Sequence, residues 1–200
     1  MATDTRPVSG SQNGRKGMSC SRVRTTPFPC RRAGFTLIEL MFAIAVVAVL
    51  ITIAVPNFRS FTANNRVAST ESDLVSALAL ARSEAVKLGT PVSVCASADG
   101  ATCSGDPSGW AGGWIVFVNP VVPGVIANAT DRLQVWANAP AGLLTNGNNA
   151  YVQYQPNGLV VSPAGTSTIR LSWNGCTGQE MRQVQVSASG MIAVQTLNCP

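Results

Sequence analysis

Residues 31–40 read RRAGFTLIEL, and they open the apolar run that decides the fold. From Phe35 to Val55 the run holds 21 residues, and Glu39 is its one ionisable side chain. At 1.5 Å per residue a helix of that length is about 30 Å long, the thickness of a bilayer's hydrocarbon. A lone carboxylate there costs about 2.5–3.5 kcal/mol or more, so it calls for a partner. Composition alone leaves two readings open: a neutral Glu39 that snorkels to the interface, and a charged one that meets a cation.

On the N-terminal side lies a basic segment. Residues 1–34 carry seven Arg or Lys against Asp4, whereas residues 35–200 carry seven basic groups against eight acidic ones. The overall charge of +5 therefore belongs to the first 34 residues. It reads as topology and not as nucleic-acid affinity, because positive residues before a span hold that side in the cytoplasm. The chain after Val55 is then expected outside. Ser, Thr, Pro, Gly and Arg dominate this segment without hydrophobic periodicity, which predicts disorder. Ala33 and Gly34 precede the apolar run, where an ordinary secretory signal would place its small residues after it. Met1 and Met18 both serve as possible starts.

On the C-terminal side the helical pattern continues. Pro56 is expected to kink the helix or soften one turn. Beyond it Val67, Leu74, Leu78, Ala81, Ala85 and Leu88 recur at spacings of three, four and seven, with Glu71, Asp73, Arg82 and Lys87 on the opposite face. This predicts an amphipathic helix with one buried side. Gly89 and Pro91 end it. The expected helix, Phe35 to Leu88, is about 80 Å long.

After Gly89 the period becomes two. PVSVCA, GWIVFVN, RLQVWA, YVQYQ, LVVS, TIRLSW, RQVQVS and MIAVQ read as strands, with turn chemistry at QPNG and SASG. YVQYQPNGLVV is the clearest hairpin. Residues 97–110 and 119–130 read as loops. The predicted class is α+β: a long N-terminal helix, half span and half amphipathic, packed on an antiparallel sheet domain. Trp110, Trp114, Phe117, Trp136 and Trp173 are expected to pack in its core.

Six cysteines divide by location. Cys20 and Cys30 fall on the reducing side, and Cys95, Cys103, Cys176 and Cys199 fall where disulfides form. Four cysteines allow three pairings. Cys95–Cys103 and Cys176–Cys199 are favoured because each closes a short or moderate loop; the alternative is four buried free thiols. The chain has no histidine, which removes every Ser–His or Cys–His nucleophile pair and weakens any zinc reading. Asp99, Asp106 and Asp131 sit in loops without a mutual pattern, and SADG offers too few oxygens for a calcium loop. No catalysis, cofactor or metal is expected.

The stretch GFTLIEL resembles the processing site of type IV pilins and type II secretion pseudopilins, and the likeness covers residues 33–57, Pro56 included. It implies cleavage by a prepilin peptidase after Gly34 and N-methylation of Phe35. It also implies that the Glu39 carboxylate pairs with the N-terminal amine of a neighbouring subunit. The stretches ALALARSEAVKLGTPVSVCASADGATC, GGWIVFVN, YQPNG and VQVSASG are similar to FimT- or FimU-type minor pilins, which share their outer domain with the pseudopilin GspH. The Cys95–Cys103 spacing fits that pattern. The implied division is a cleaved leader 1–34, a membrane or fibre-core half-helix 35–57, an amphipathic half 58–89 and a sheet domain 90–200.

The implied protein is a minor type IV pilin of the bacterial inner membrane, with a cytoplasmic N-terminus and a periplasmic domain. It helps to initiate assembly or joins a tip complex, with other pilins and membrane lipid as partners. One alternative is a type II secretion pseudopilin. Another is a DNA-binding minor pilin, for which Arg170 and Arg182 are the candidate contacts. Against the latter, Met191 stands where relatives often carry arginine, and the tail MIAVQTLNCP has no Lys or Arg. Phosphate binding needs clustered cations.

Overall fold

The computed structural model describes residues 34–118, 122–162, 165–176 and 180–199, with the side chain of Pro56 excepted. The disorder expected of the leader lies outside the described residues, and the backbone at position 56, where a kink or a softened turn was expected, is part of the helix. The chain divides into two units, 1–44 and 45–200.

In the first unit residues 34–36 are non-helical, and helix α1 (Leu37–Leu88) begins at Leu37. In the second unit α1 continues, and its residues 45–55 are exposed throughout. They are rich in Val and Ile, which are weak helix formers in water. A lipid environment makes helix their only way to satisfy every backbone group. Thr52 Oγ1 donates to the Val49 carbonyl and Asn57 Nδ2 to the Ile53 carbonyl, both in the turns of α1 before position 56.

From Ala63 onward α1 buries one face. Ala63, Val67, Thr70, Leu74, Ala77, Leu78, Ala81 and Ala85 are all buried. Leu88, expected on that face, is 45% exposed at the last residue of the helix. Gly89, at φ 67°, stops the helix in a left-handed cap, and its N–H donates to Ala85 at 3.1 Å.

One sheet was expected and two are present. The first has strand order β3 (Arg132–Trp136), β2 (Trp114–Val118), β1 (Val92–Ala96), β5 (Tyr151–Tyr154), β6 (Val160–Val161). The second runs β4 (Leu143–Gly147), β7 (Ser167–Trp173), β8 (Glu180–Val186), β9 (Ile192–Asn198). Every pairing is antiparallel. Strand β4, LLTNG, is absent from the period-two reading, because its Asn and Gly resemble a turn. It pairs with β7, from Leu143 opposite Trp173 to Gly147 opposite Ile169. The hairpin at 151–161 forms with Tyr154 opposite Val160 and a turn closed by Gly158 N–H to the Gln155 carbonyl at 2.8 Å.

The helix and both sheets share one core. Val67, Leu74 and Leu78 of α1 cluster with Val92, Val94, Val152 and Tyr154 of the first sheet and with Ile169, Leu171, Val184 and Val186 of the second. Trp110 and Trp114 are buried in it, while Trp136 and Trp173 pack at its margin. Strand β1 is buried on both faces. Its outer face holds Cys95 beside Ile115 and Phe117, and the loops that read as mere connections cover them with Cys103 and Ile126.

Arg82, exposed as expected, also fastens the two turn motifs to the helix. Its Nη1 donates to the Gly190 carbonyl at 3.1 Å, and a Cβ at Gly190 would strike the Gly158 carbonyl. The Val160 N–H donates to Ala188, so SASG and QPNG hold each other as well.

Candidate functional site

The candidate site begins where α1 begins. Thr36 Oγ1 accepts a hydrogen bond from the Glu39 N–H at 3.2 Å, and the Thr36 carbonyl accepts from Leu40 at 3.1 Å. Thr36 is therefore the N-cap of the helix. The signal was in the sequence as Thr36-Leu-Ile-Glu39, the spacing of a capping box, and the pattern reading passed over it. Among the described residues nothing pairs with the Glu39 carboxylate. It sits in the first turn of the helix, where the macrodipole favours negative charge. Phe35, Leu37 and Ile38 beside it are among the most exposed apolar residues of the chain.

Gly34 is non-helical, and a Cβ there would meet nothing within 4 Å. The fold of the described residues places no demand for glycine at 34.

The structure pairs Cys95 with Cys103 and Cys176 with Cys199, at Cα separations of 5.6 and 5.7 Å. Asp99 shapes the first of these loops. Its carboxylate accepts from the N–H groups of Thr102 and Ala101 and from the hydroxyls of Thr102 and Ser97. Those bonds, the backbone ones first, hold its acidity well below the ordinary carboxylate range. SADG is thus a loop-closing motif. Asp106 and Asp131 do similar work, accepting from the N–H groups of Ser108 and Asn128.

Arg170 and Arg182 do not converge. In the β7–β8 pairing Arg170 lies opposite Gln183, and Arg182 lies opposite buried Leu171. Opposite residues share a face and neighbours alternate, so the two guanidinium groups are on opposite faces of the sheet. Arg170 donates to Gln183 at 2.9 Å. Arg182 is held between Glu180 at 2.9 Å and Glu71 of α1 at 3.6 Å. Glu71 was expected to face solvent; its side chain is only 15% exposed because it meets this arginine.

Residues 72–190, more than half of the chain, match the family model described as Type II transport protein GspH. The chain belongs to the GspH family. Residues 29–55 match the prokaryotic N-terminal methylation motif. Together they make this GspH-family chain a structural subunit of the type IV pilin and pseudopilin kind.

Among curated relatives, the type IV major pilin protein PilA of Myxococcus xanthus is 40% identical over 52 residues, which is 26% of this chain and 24% of PilA. A fimbrial protein of Pseudomonas aeruginosa is 41% identical over 59 residues, 30% of this chain and 38% of that protein. The matched part thus spans about a quarter to two fifths of those relatives. The crystal structure of the type IV minor pilin FimU of Pseudomonas aeruginosa superposes with a TM-score of 0.53 at 24% identity. The match covers 68% of this GspH-family chain and 92% of FimU, and it shows the shared fold.

Proposed function

We propose that the chain is a minor type IV pilin. It is cut between Gly34 and Phe35, methylated at Phe35 and held in the inner membrane by residues 35–57 until it joins a fibre. There it helps to initiate assembly or belongs to the tip complex, with residues 58–89 and 90–200 forming the outer domain. The observation that carries this reading is Glu39: a carboxylate without a partner among the described residues, in the first turn of a helix whose apolar side chains are bare. An ion so placed needs a cation from outside the chain, and the cleaved amine of an adjacent subunit supplies one. That Gly34 is dispensable to the fold supports a demand for it from the peptidase.

The test is Glu39→Ala. Membrane insertion continues, since a charge costing about 2.5–3.5 kcal/mol in lipid is gone. Incorporation falls, because the neighbour's amine is buried unpaired at a cost of about 3–5 kcal/mol. The ratio of variant in sheared pili to variant in the inner membrane reads this directly; an unchanged ratio refutes the role given to Glu39. The second reading, a type II secretion pseudopilin, is favoured by the description of the matching family itself. Deleting the gene separates the two: loss of pili supports the first reading, and loss of secreted enzymes with normal pili supports the second.

A further inference from the structure

We propose that the foot of the outer domain holds the phosphate of an anionic lipid headgroup, between Arg59 and Arg66. The inference rests on the reading of residues 35–55 as a membrane span. Between Glu39 and Glu71 the only charged residues are these two arginines. Among the described residues neither has a carboxylate partner. They are seven positions apart, two helical turns, and so lie on one face of α1. Phe58, Arg59, Thr62, Ala63, Arg66 and Trp173 line a single concave site there. The Arg66 guanidinium stands 5.4 Å from the centre of the Trp173 ring, which fixes its plane and leaves its N–H groups to an outside acceptor. Glu180, whose N–H donates to Asn64 of α1 at 3.4 Å, has its carboxylate engaged by Arg182 at 2.9 Å.

Depth selects the occupant. The uninterrupted apolar run of α1 ends at Val55, and Arg59 lies four residues beyond it, about 6 Å along the axis. The headgroup layer on each side of a bilayer is about 5–7 Å thick. Arg59 is therefore at headgroup level. Arg66 starts about 10 Å higher, and its side chain leans back toward the helix N-terminus, as helical side chains do. Phe58 and Phe61, 70% and 62% exposed, supply the apolar contact that an acyl ester region accepts. A phosphate held by two guanidinium groups above such a wedge has the chemistry of a phosphatidylglycerol headgroup.

The experiment uses the full processed protein, extracted from membranes and placed in nanodiscs. These contain phosphatidylcholine alone or phosphatidylcholine with phosphatidylglycerol, and lipid retained by the protein is counted by native mass spectrometry. Phosphatidylglycerol is expected to be retained preferentially. Each arginine near an anionic surface is worth about fivefold in affinity, so Arg59→Gln with Arg66→Gln should cost about 25-fold. Arg170→Gln, remote from the site, changes nothing. Replacing both arginines by lysine separates a shaped site from diffuse attraction: the shaped site loses its preference, and full retention overturns it. Equal retention by the glutamine pair overturns the proposal outright. So does an equal effect of inorganic phosphate or of a DNA oligonucleotide on the same two residues. Release of the protein by alkaline carbonate washing, before any lipid is measured, refutes the membrane span instead.

Discussion

Tyr154 shows how one side chain can carry both packing and a weakness. Its ring is buried in the shared core, and among the described residues its hydroxyl finds no hydrogen-bond partner. Burial pushes the phenol well above its ordinary value, and the charge of Arg82 offsets part of that rise. The sign follows from linkage. An unfolded phenol ionises near pH 10, whereas the folded one resists, so this contribution to stability is complete below about pH 10 and falls as the pH rises further. Tyr154→Phe deletes an unsatisfied buried group and should be neutral or stabilising by up to about 1 kcal/mol at neutral pH. It should also flatten the loss of stability in alkali. Urea melts at neutral pH and at about pH 11 check both statements; a clear loss at neutral pH would mean that the hydroxyl is satisfied after all.

At the scale of elements, the second disulfide matters most. Cys176 follows β7 and Cys199 follows β9, so the bond clamps the end of the outermost strand to the connection between β7 and β8. The chain separation is 23 residues against 8 for Cys95–Cys103, and loop entropy makes the longer closure worth about 1 kcal/mol more. Replacing both Cys176 and Cys199 by Ser should cost about 2–4 kcal/mol in urea unfolding. Thiol titration of the processed, oxidised protein should find no free cysteine. Unchanged stability would show that the clamp is idle. Both pairings could be anticipated because each is local in the chain. The strands rich in Val, Ile and aromatics could be read for the same reason. What could not be read is what depends on distant partners. LLTNG becomes a strand only because β7 arrives beside it, and Glu71 is half-buried because Arg182 meets it across 111 positions. The division into two sheets is set by such pairings and leaves no mark on any single segment.

For the whole molecule the question is what the outer domain presents to a polyanion. Residues 35–200 carry seven basic and eight acidic groups, and the two candidate arginines are on opposite faces of one sheet. A phosphate backbone running along either face meets one of them at most, and Arg182 is already engaged by two carboxylates. The expected outcome with duplex DNA at physiological salt is no micromolar complex in a mobility shift. A tight, salt-sensitive complex that Arg170→Ala weakens would show that net charge is a poor guide to this surface. Gly34, Phe35 and Glu39 of the proposed site could be named from the sequence because they form one contiguous motif. The cap at Thr36 was equally contiguous, but a hydroxyl among apolar neighbours is easily read as part of the run.

That cap has a consequence for the order of events in the life of the subunit. A protease grips backbone in extended form, and the bond between Gly34 and Phe35 is one residue short of Thr36. On the proposed cleavage between Gly34 and Phe35, the threonine, by ending the helix there, would keep that bond accessible and would remain in the shortened chain to guard the new end from fraying. One hydroxyl thus acts as a boundary marker between what is to be cut and what is to be kept. Thr36→Ala exchanges a capping residue for the best helix former, at a cost to the cap of about 1 kcal/mol. The coil should then creep backward over the bond, and pulse-chase labelling should show slower maturation with membrane insertion unaffected. Maturation at the normal rate would mean that the enzyme unwinds its substrate for itself.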